Sequence, residues 1–216
     1  ASDDLILRNS RFIRMIMLSK EYTELFPEST LLTGGGAISH WFTTNGGECK
    51  FSSTGSQVMG FGAGLTDKNG FNGMLVIDDP IKATEINSAP YVNKANENSE
   101  YAATTRVETD DVPIVLIMQR LSKHDTTAHF LEAVSEGWEV VTIPALLDVD
   151  YINSLPDDKR KHLDVSISNG EHISFWEFKF PLKKILKIKD KNNFLFSAQY
   201  MQEPIMRGGN LIKINK

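Results

Sequence analysis

Only one cysteine, Cys49, occurs in the 216 residues, and neither Cys-x-x-Cys nor His-Glu-x-x-His spacing is present. An internal disulfide is therefore impossible, and both a disulfide-framed secreted domain and a structural zinc site lose sequence support, which favours an intracellular protein. No apolar run is long enough to span a bilayer, and the opening Ala1-Ser2-Asp3-Asp4 is acidic where a secretory signal would be basic. The lack of an initiator methionine points to a fragment or a recombinant product. Excess positive charge is missing too. A net charge of -5 and a pI near 5.6 argue against a protein that coats nucleic acid over its whole surface, while leaving room for a local basic patch. What remains is an ordinary globular composition, 41% hydrophobic and 24% charged, for which one α/β domain is the default.

The most informative stretch is Met74-Leu75-Val76-Ile77-Asp78-Asp79-Pro80. Its apolar run, bounded by Gly70 to Gly73 and by Pro80, predicts a strand buried on both faces, as in the middle of a parallel sheet. Two adjacent carboxylates at the carboxyl end of such a strand stand where open α/β sheets place ligands, and a divalent cation would relieve their repulsion. The alternative is that Asp78 and Asp79 simply begin a turn into Pro80.

In chain order, Ser2-Asp3-Asp4 predicts the capped start of a helix with apolar positions Leu5, Ile6, Phe12, Ile13, Ile16 and Met17, and with Arg8, Arg11 and Arg14 on one face. The helical region ends at Pro27. Trp41 to Thr44 and Cys49 to Ser52 flank Asn45-Gly46 and predict a hairpin. Gly60-Phe61-Gly62-Ala63-Gly64 matches neither Gly-x-Gly-x-x-Gly nor Gly-x-x-x-x-Gly-Lys-Ser/Thr, so a mobile surface loop running through Lys68-Asn69-Gly70 is the better reading. A helix is predicted from Ser88-Ala89-Pro90 to Thr105, poorly buried or partner-facing because of its polarity. Further strands follow at 113–118 and at Trp138 to Ala145, with a short helix between them capped by Asp125 and carrying Phe130 and Leu131. Tyr151 to Lys161 is predicted to be a charged loop. Leu182, Ile185, Leu186 and Ile188 line an amphipathic helix whose other face carries Lys183, Lys184 and Lys187, next to the aromatics of 175–180. These lysines could meet a nucleic-acid backbone or simply form the wet face.

Several motifs together resemble the large terminase subunit of tailed bacteriophages. They are the opening Ser2-Asp3-Asp4-Leu5 with Leu7-Arg8-Asn9-Ser10-Arg11, then Glu21-Tyr22 with Leu25-Phe26-Pro27, and Ile77-Asp78-Asp79-Pro80-Ile81-Lys82. Gln119-Arg120 with Asp125, Ile143-Pro144-Ala145 and the run Phe196 to Pro204 complete the series in the family's order. The Ala198-Gln199-Tyr200-x-Gln202-Glu203-Pro204 segment is the most specific, since in the family it closes the ATPase region before a separate RNase H-like nuclease. The resemblance implies a prophage or phage protein in the host cytoplasm, an ATP-driven motor packaging double-stranded viral DNA with a portal protein, a small terminase subunit and further copies in a ring.

On that resemblance, residues 74–79 correspond to the Walker B strand, with Asp78 as the Mg²⁺ ligand and Asp79 as the base that positions the attacking water. Gln119 and Arg120 correspond to the segment that senses the γ-phosphate, and Lys183, Lys184 and Lys187 are candidate DNA contacts. The implied fold is a three-layer P-loop NTPase-like core of the additional-strand kind. Its sheet would be mainly parallel and incomplete at the N-terminal side, with 1–150 forming part of the ATPase core and 151–216 a C-terminal subdomain. The Walker A segment would precede Ala1 and the nuclease carboxylates would follow Lys216, so this chain alone is expected to bind ATP poorly and turn it over negligibly. A sheet lacking a neighbour would expose apolar edges beside 74–77 and 114–118, to be met by self-association or by the hairpin around Asn45. Two other classes fit the residues: a non-enzymatic DNA-binding or regulatory module, and a metal-dependent nuclease joining Asp78 with Asp148 and Asp150.

Overall fold

A computed structural model of the chain describes residues 3–53, 60–65, 71–133, 137–163 and 168–205. The predicted cap at Ser2 and the loop residues Lys68, Asn69 and Gly70 lie outside this set. Mixed α/β structure is present in two compact units, one formed by Ala1–Lys82 with Ala89–Ile117 and the other by Ala83–Ser88 with Met118–Lys216. The sheets are small: three antiparallel strands, one parallel pair and one antiparallel pair among the described residues.

The first unit begins with helices α1 (Asp3–Met17) and α2 (Lys20–Leu25), the latter capped by Ser19, whose hydroxyl accepts from the Tyr22 amide at 3.2 Å. Strands β1 (Leu31–Ala37), β2 (His40–Thr43) and β3 (Glu48–Lys50) form a meander. The predicted hairpin is there: Phe42 pairs with Glu48, the Thr43 amide donates to Gly47 O at 2.7 Å, and Gly46 takes the positive φ of 84° that the tight turn requires. The face of α1 differs from expectation. Ser10 and Met17 are buried, whereas Phe12, Ile13 and Ile16 are exposed. The reason is a polar lock: buried Ser10 accepts from Trp41 Nε1 at 3.0 Å and donates to Ile38 O. A buried indole N–H must find an acceptor, and this one turns the Ser10 side of the helix toward Trp41.

Cys49 stands directly opposite Trp41 on β3, and its thiol is pushed up to about 11, first by burial and then by the neighbouring Glu48 carboxylate. Both causes disfavour the thiolate, so at pH 8 the reactive form should be about 100-fold scarcer than in an ordinary thiol. Iodoacetamide labelling followed by mass spectrometry should therefore show slow alkylation of the native chain, with a rate that climbs until about pH 11. A midpoint at the ordinary cysteine value would contradict this.

Within the glycine-rich stretch, the described residues Ala63 to Leu65 are tied to neighbouring segments. Ala63 bridges to Val107, its amide donates to Arg106 O at 2.6 Å, and Asn72 clamps both the amide and the carbonyl of Leu65 at 3.1 Å. A Cβ on Gly64 would meet Val112 Cγ2 at 2.3 Å, so close packing against Val112 explains the glycine there.

Strands β4 (Leu75–Asp78) and β5 (Ile114–Ile117) pair in parallel, with α3 (Ala89–Thr105) between them in sequence. That much agrees with the predicted strand, helix and strand. The predicted burial on both faces does not hold, since Val76 is 48% and Ile117 54% exposed. Among the described residues β4 pairs only with β5, and a lone pair has no neighbouring strands or covering layers to hide its side chains. The hairpin around Asn45 belongs to its own sheet and does not extend this pair. Helix α3 is less exposed than its polarity predicts, because Val92, Ala95, Asn96, Ser99 and Ala103 form one buried, small-residue face.

In the second unit, α4 (Thr126–Ala133) buries Phe130, whose ring lies 5.2 Å from that of Trp138. The strand predicted over Trp138 to Ala145 is absent. Pairing starts at β6 (Leu146–Asp148), antiparallel to β7 (His172–Ser174), and Val140, Val141 and Ile143 are exposed. Pro144 lacks an amide donor, so a ladder can begin only beyond it, and Ala145 is the first residue to be tied, donating to Tyr200 O and accepting from Phe175. The predicted charged loop instead contains α5 (Val149–Ser154) and α6 (Asp157–Arg160). Asp148 caps α5 through the Tyr151 amide at 2.7 Å, and α6 has acids in its first turn and bases in its last.

Helix α7 (Leu182–Lys191) forms as predicted and packs Leu182 and Ile185 against Leu146 and Phe196. A helical turn, Asn193–Leu195, leads into a π-helical turn, Phe196–Tyr200. Because side chains alternate across a strand, Leu146 enters this cluster while Leu147 enters a second one with Ile152 and Ile173. Among the described residues no helix is long and apolar enough to cross a membrane.

Candidate functional site

In the first unit, Asp78 ends β4 opposite Ile117, and the Asp79 amide donates to Ile117 O at 2.9 Å, which carries the parallel ladder one step beyond the strand. Asp79 then takes φ 41°, in the left-handed region that a non-glycine residue enters at a cost. The chain turns sharply there into buried Pro80 and Ile81, so both anchors are apolar while the Asp78 and Asp79 side chains remain exposed. Two exposed aspartates, with hard oxygen donors, are thus consecutive in sequence at the carboxyl end of a parallel strand.

Gln119 and Arg120 follow β5 in sequence and belong to the second unit. Gln119 is exposed. Arg120 is committed: its Nε donates to both oxygens of Asp125, at 3.2 and 3.0 Å. Asp125 is 0% exposed, and its carboxylate also accepts from the amides of Leu121 at 2.8 Å, Ser122 at 3.2 Å and Ala128 at 3.0 Å. The Ala128 bond caps α4 as the sequence predicts. The Leu121 and Ser122 bonds fold the preceding segment back over the same carboxylate, so one buried anion organises residues 120–128.

Gln202 closes this cluster from a distant part of the chain. Its Oε1 accepts from the Arg120 amide at 2.8 Å, its Nε2 donates to Gln199 O at 2.8 Å, and its own φ is 61°. Two segments that carry the terminase resemblance, Gln119-Arg120 and Gln199 to Glu203, therefore meet through Gln202, which the sequence marks only as part of a motif and not as a site residue. Separation by 82 positions hides such a pairing from any local pattern. Beside the cluster lies an open depression of about 390 Å³ lined by Arg120, Lys123, His124, Ala128, Leu131 and Glu132.

Lys183, Lys184 and Lys187 are exposed on α7, opposite Leu182 and Ile185. Asp148 caps a helix, and Asp150 sits in that helix's first turn. Among the described residues no group of three or more His, Cys, Asp or Glu side chains gathers as a metal cage. No family model, curated protein or solved structure matches the chain.

Proposed function

We propose that this chain is part of the ATPase region of a large terminase subunit, the motor that packages double-stranded viral DNA into procapsids in the cytoplasm of a bacterial host. The observation that carries the proposal is the exposed Asp78-Asp79 pair at the carboxyl end of β4, beside the parallel strand β5, with Asp79 in the left-handed turn. Open α/β sheets bind their ligands at that end of their strands. In this reading β4 and β5 belong to a wider additional-strand P-loop sheet, and the Walker A segment is encoded before Ala1. The portal protein, the small terminase subunit and further copies in a ring are the partners of the complete motor.

The donor set suits Mg²⁺, which is usually held by one or two carboxylates together with substrate phosphates rather than by an all-protein cage. Bound with ATP, the ion would neutralise charge on the transferring phosphoryl group. Asp78 would hold it, and Asp79, the next residue, would orient the attacking water. Of the two residues after β5, Gln119 has the exposed polar group suited to γ-phosphate sensing, whereas Arg120 fixes the segment through Asp125 and Gln202.

The test is direct. The coding sequence upstream of Ala1 should specify Gly-x-x-x-x-Gly-Lys-Ser/Thr, and the complete protein should hydrolyse ATP in a Mg²⁺-dependent manner. A complete protein with neither property would overturn the proposal. The exposed lysines of α7 favour a second reading, a non-enzymatic DNA-binding module, which DNA binding that weakens with salt and ignores nucleotide would support.

A further inference from the structure

Three of the four aromatic residues just before α7 are exposed, while Phe180 packs against the core cluster. Phe178 is 93% exposed, and Phe175 and Trp176 are about half exposed. Lysines lie close to two of the rings of this segment: Lys179 Nζ is 4.9 Å from the centre of the Trp176 ring and 5.6 Å from that of Phe180, and Lys184 Nζ is 5.0 Å from the Phe180 ring. Lys183 and Lys187 continue along the exposed stripe of α7 at an interval of four, about 6 Å of helix rise. Between Phe175 and Lys191 six lysines stand against two acids, Glu177 and Asp190, in a chain whose net charge is -5. One of those acids is already engaged, since Glu177 Oε2 accepts from the Leu182 amide at 2.9 Å at the start of α7.

From this juxtaposition we infer that the 175–187 surface binds single-stranded nucleic acid, with bases stacking on the Trp176 and Phe178 rings and phosphates meeting Lys179, Lys183, Lys184 and Lys187. The charge is complementary to an anionic polymer, and the open rings need a flat apolar partner, which an unstacked base supplies. A duplex presents the same phosphates but hides its base faces within the stack, so it would use the lysines and leave the rings idle. An anionic membrane would require a continuous apolar face, and the apolar face of α7 is already spent on Leu146 and Phe196. The inference rests on the patch alone. It goes beyond the proposed function, whose DNA is double-stranded, and does not depend on nucleotide hydrolysis.

Fluorescence anisotropy of the 216-residue chain, with a labelled oligothymidine, a duplex of equal length and anionic lipid vesicles compared at low salt, tests it. Oligothymidine is expected to bind more tightly than duplex. Phe178→Ala and Phe178→Leu should both weaken oligothymidine binding about five- to a hundredfold, while Phe178→Tyr retains it. Leucine is informative because it keeps an apolar side chain and removes the stacking face; Phe178 is so exposed that none of these changes threatens the fold. Lys183→Gln with Lys187→Gln should lower affinity and flatten the salt dependence by roughly 0.7 in the log–log slope for each lost contact. Equal affinity for duplex, indifference to Phe178→Ala, tighter binding to vesicles, or no oligothymidine binding at low salt would each overturn the inference. ATP hydrolysis by the complete protein is a separate measurement, so failure here and failure of the motor reading can be told apart.

Discussion

Asp125→Ala is expected to destabilise the unit that contains it by about 3–5 kcal/mol, the cost typical of breaking a buried ion pair from one side. The carboxylate is wholly buried and receives the Arg120 guanidinium and three backbone amides. Alanine would leave those donors facing an apolar gap, with the guanidinium charge unpaired. Asp125→Asn separates shape from charge: asparagine retains one acceptor oxygen, but its NH₂ must face one of the existing donors, so it should recover less than half of the loss. Because the chain contains two compact units, a single unfolding midpoint would mix their transitions. Hydrogen exchange of the α4 amides, Thr126 to Ala133, reads the local effect, and a loss below about 1 kcal/mol would show that the cluster is not a structural anchor.

On the proposed motor function, Asp79→Asn in the full motor subunit is expected to lower ATP turnover by about 10²- to 10⁴-fold while leaving Mg²⁺-nucleotide affinity near that of the wild type. Asp78→Asn should weaken nucleotide binding itself. The two substitutions change consecutive, exposed aspartates, yet on the proposed mechanism one would act on the ion present in the ground state and the other on the water as it attacks. Equilibrium binding and steady-state hydrolysis measured on the same preparations separate the two roles. Wild-type turnover by the Asp79→Asn protein would remove Asp79 from the mechanism, and unchanged affinity in the Asp78→Asn protein would remove Asp78 from the metal site.

The places where the sequence and the fold part company share a cause. Trp138 to Ala145 has the composition of a strand, but a strand exists only where a partner runs alongside it, and the partner, His172 to Ser174, lies far along the chain and pairs with Leu146 to Asp148. Composition also assigns Phe12 and Ile16 to the core, and the Ser10–Trp41 hydrogen bond places a different side of α1 inward. The candidate site divides in the same way. Asp78 and Asp79 are legible because a strand, its end and the following proline are contiguous. Gln202 is not, because its partner is the amide of Arg120 in another segment.

By itself, the sequence determined what is settled within a few residues: the Asn45-Gly46 turn, the Asp125 cap of α4, the amphipathic period of α7, and the end of β4 at two carboxylates. Nearby donors, acceptors and side-chain periods decide those features without help from the rest of the chain. Only the tertiary structure decided which strands pair, which face of α1 is buried, and that Gln202 seats on the Arg120 amide. Each of these is a choice among distant partners competing for the same hydrogen bonds and apolar surface, and it is made by burial of the whole chain rather than by any segment of it.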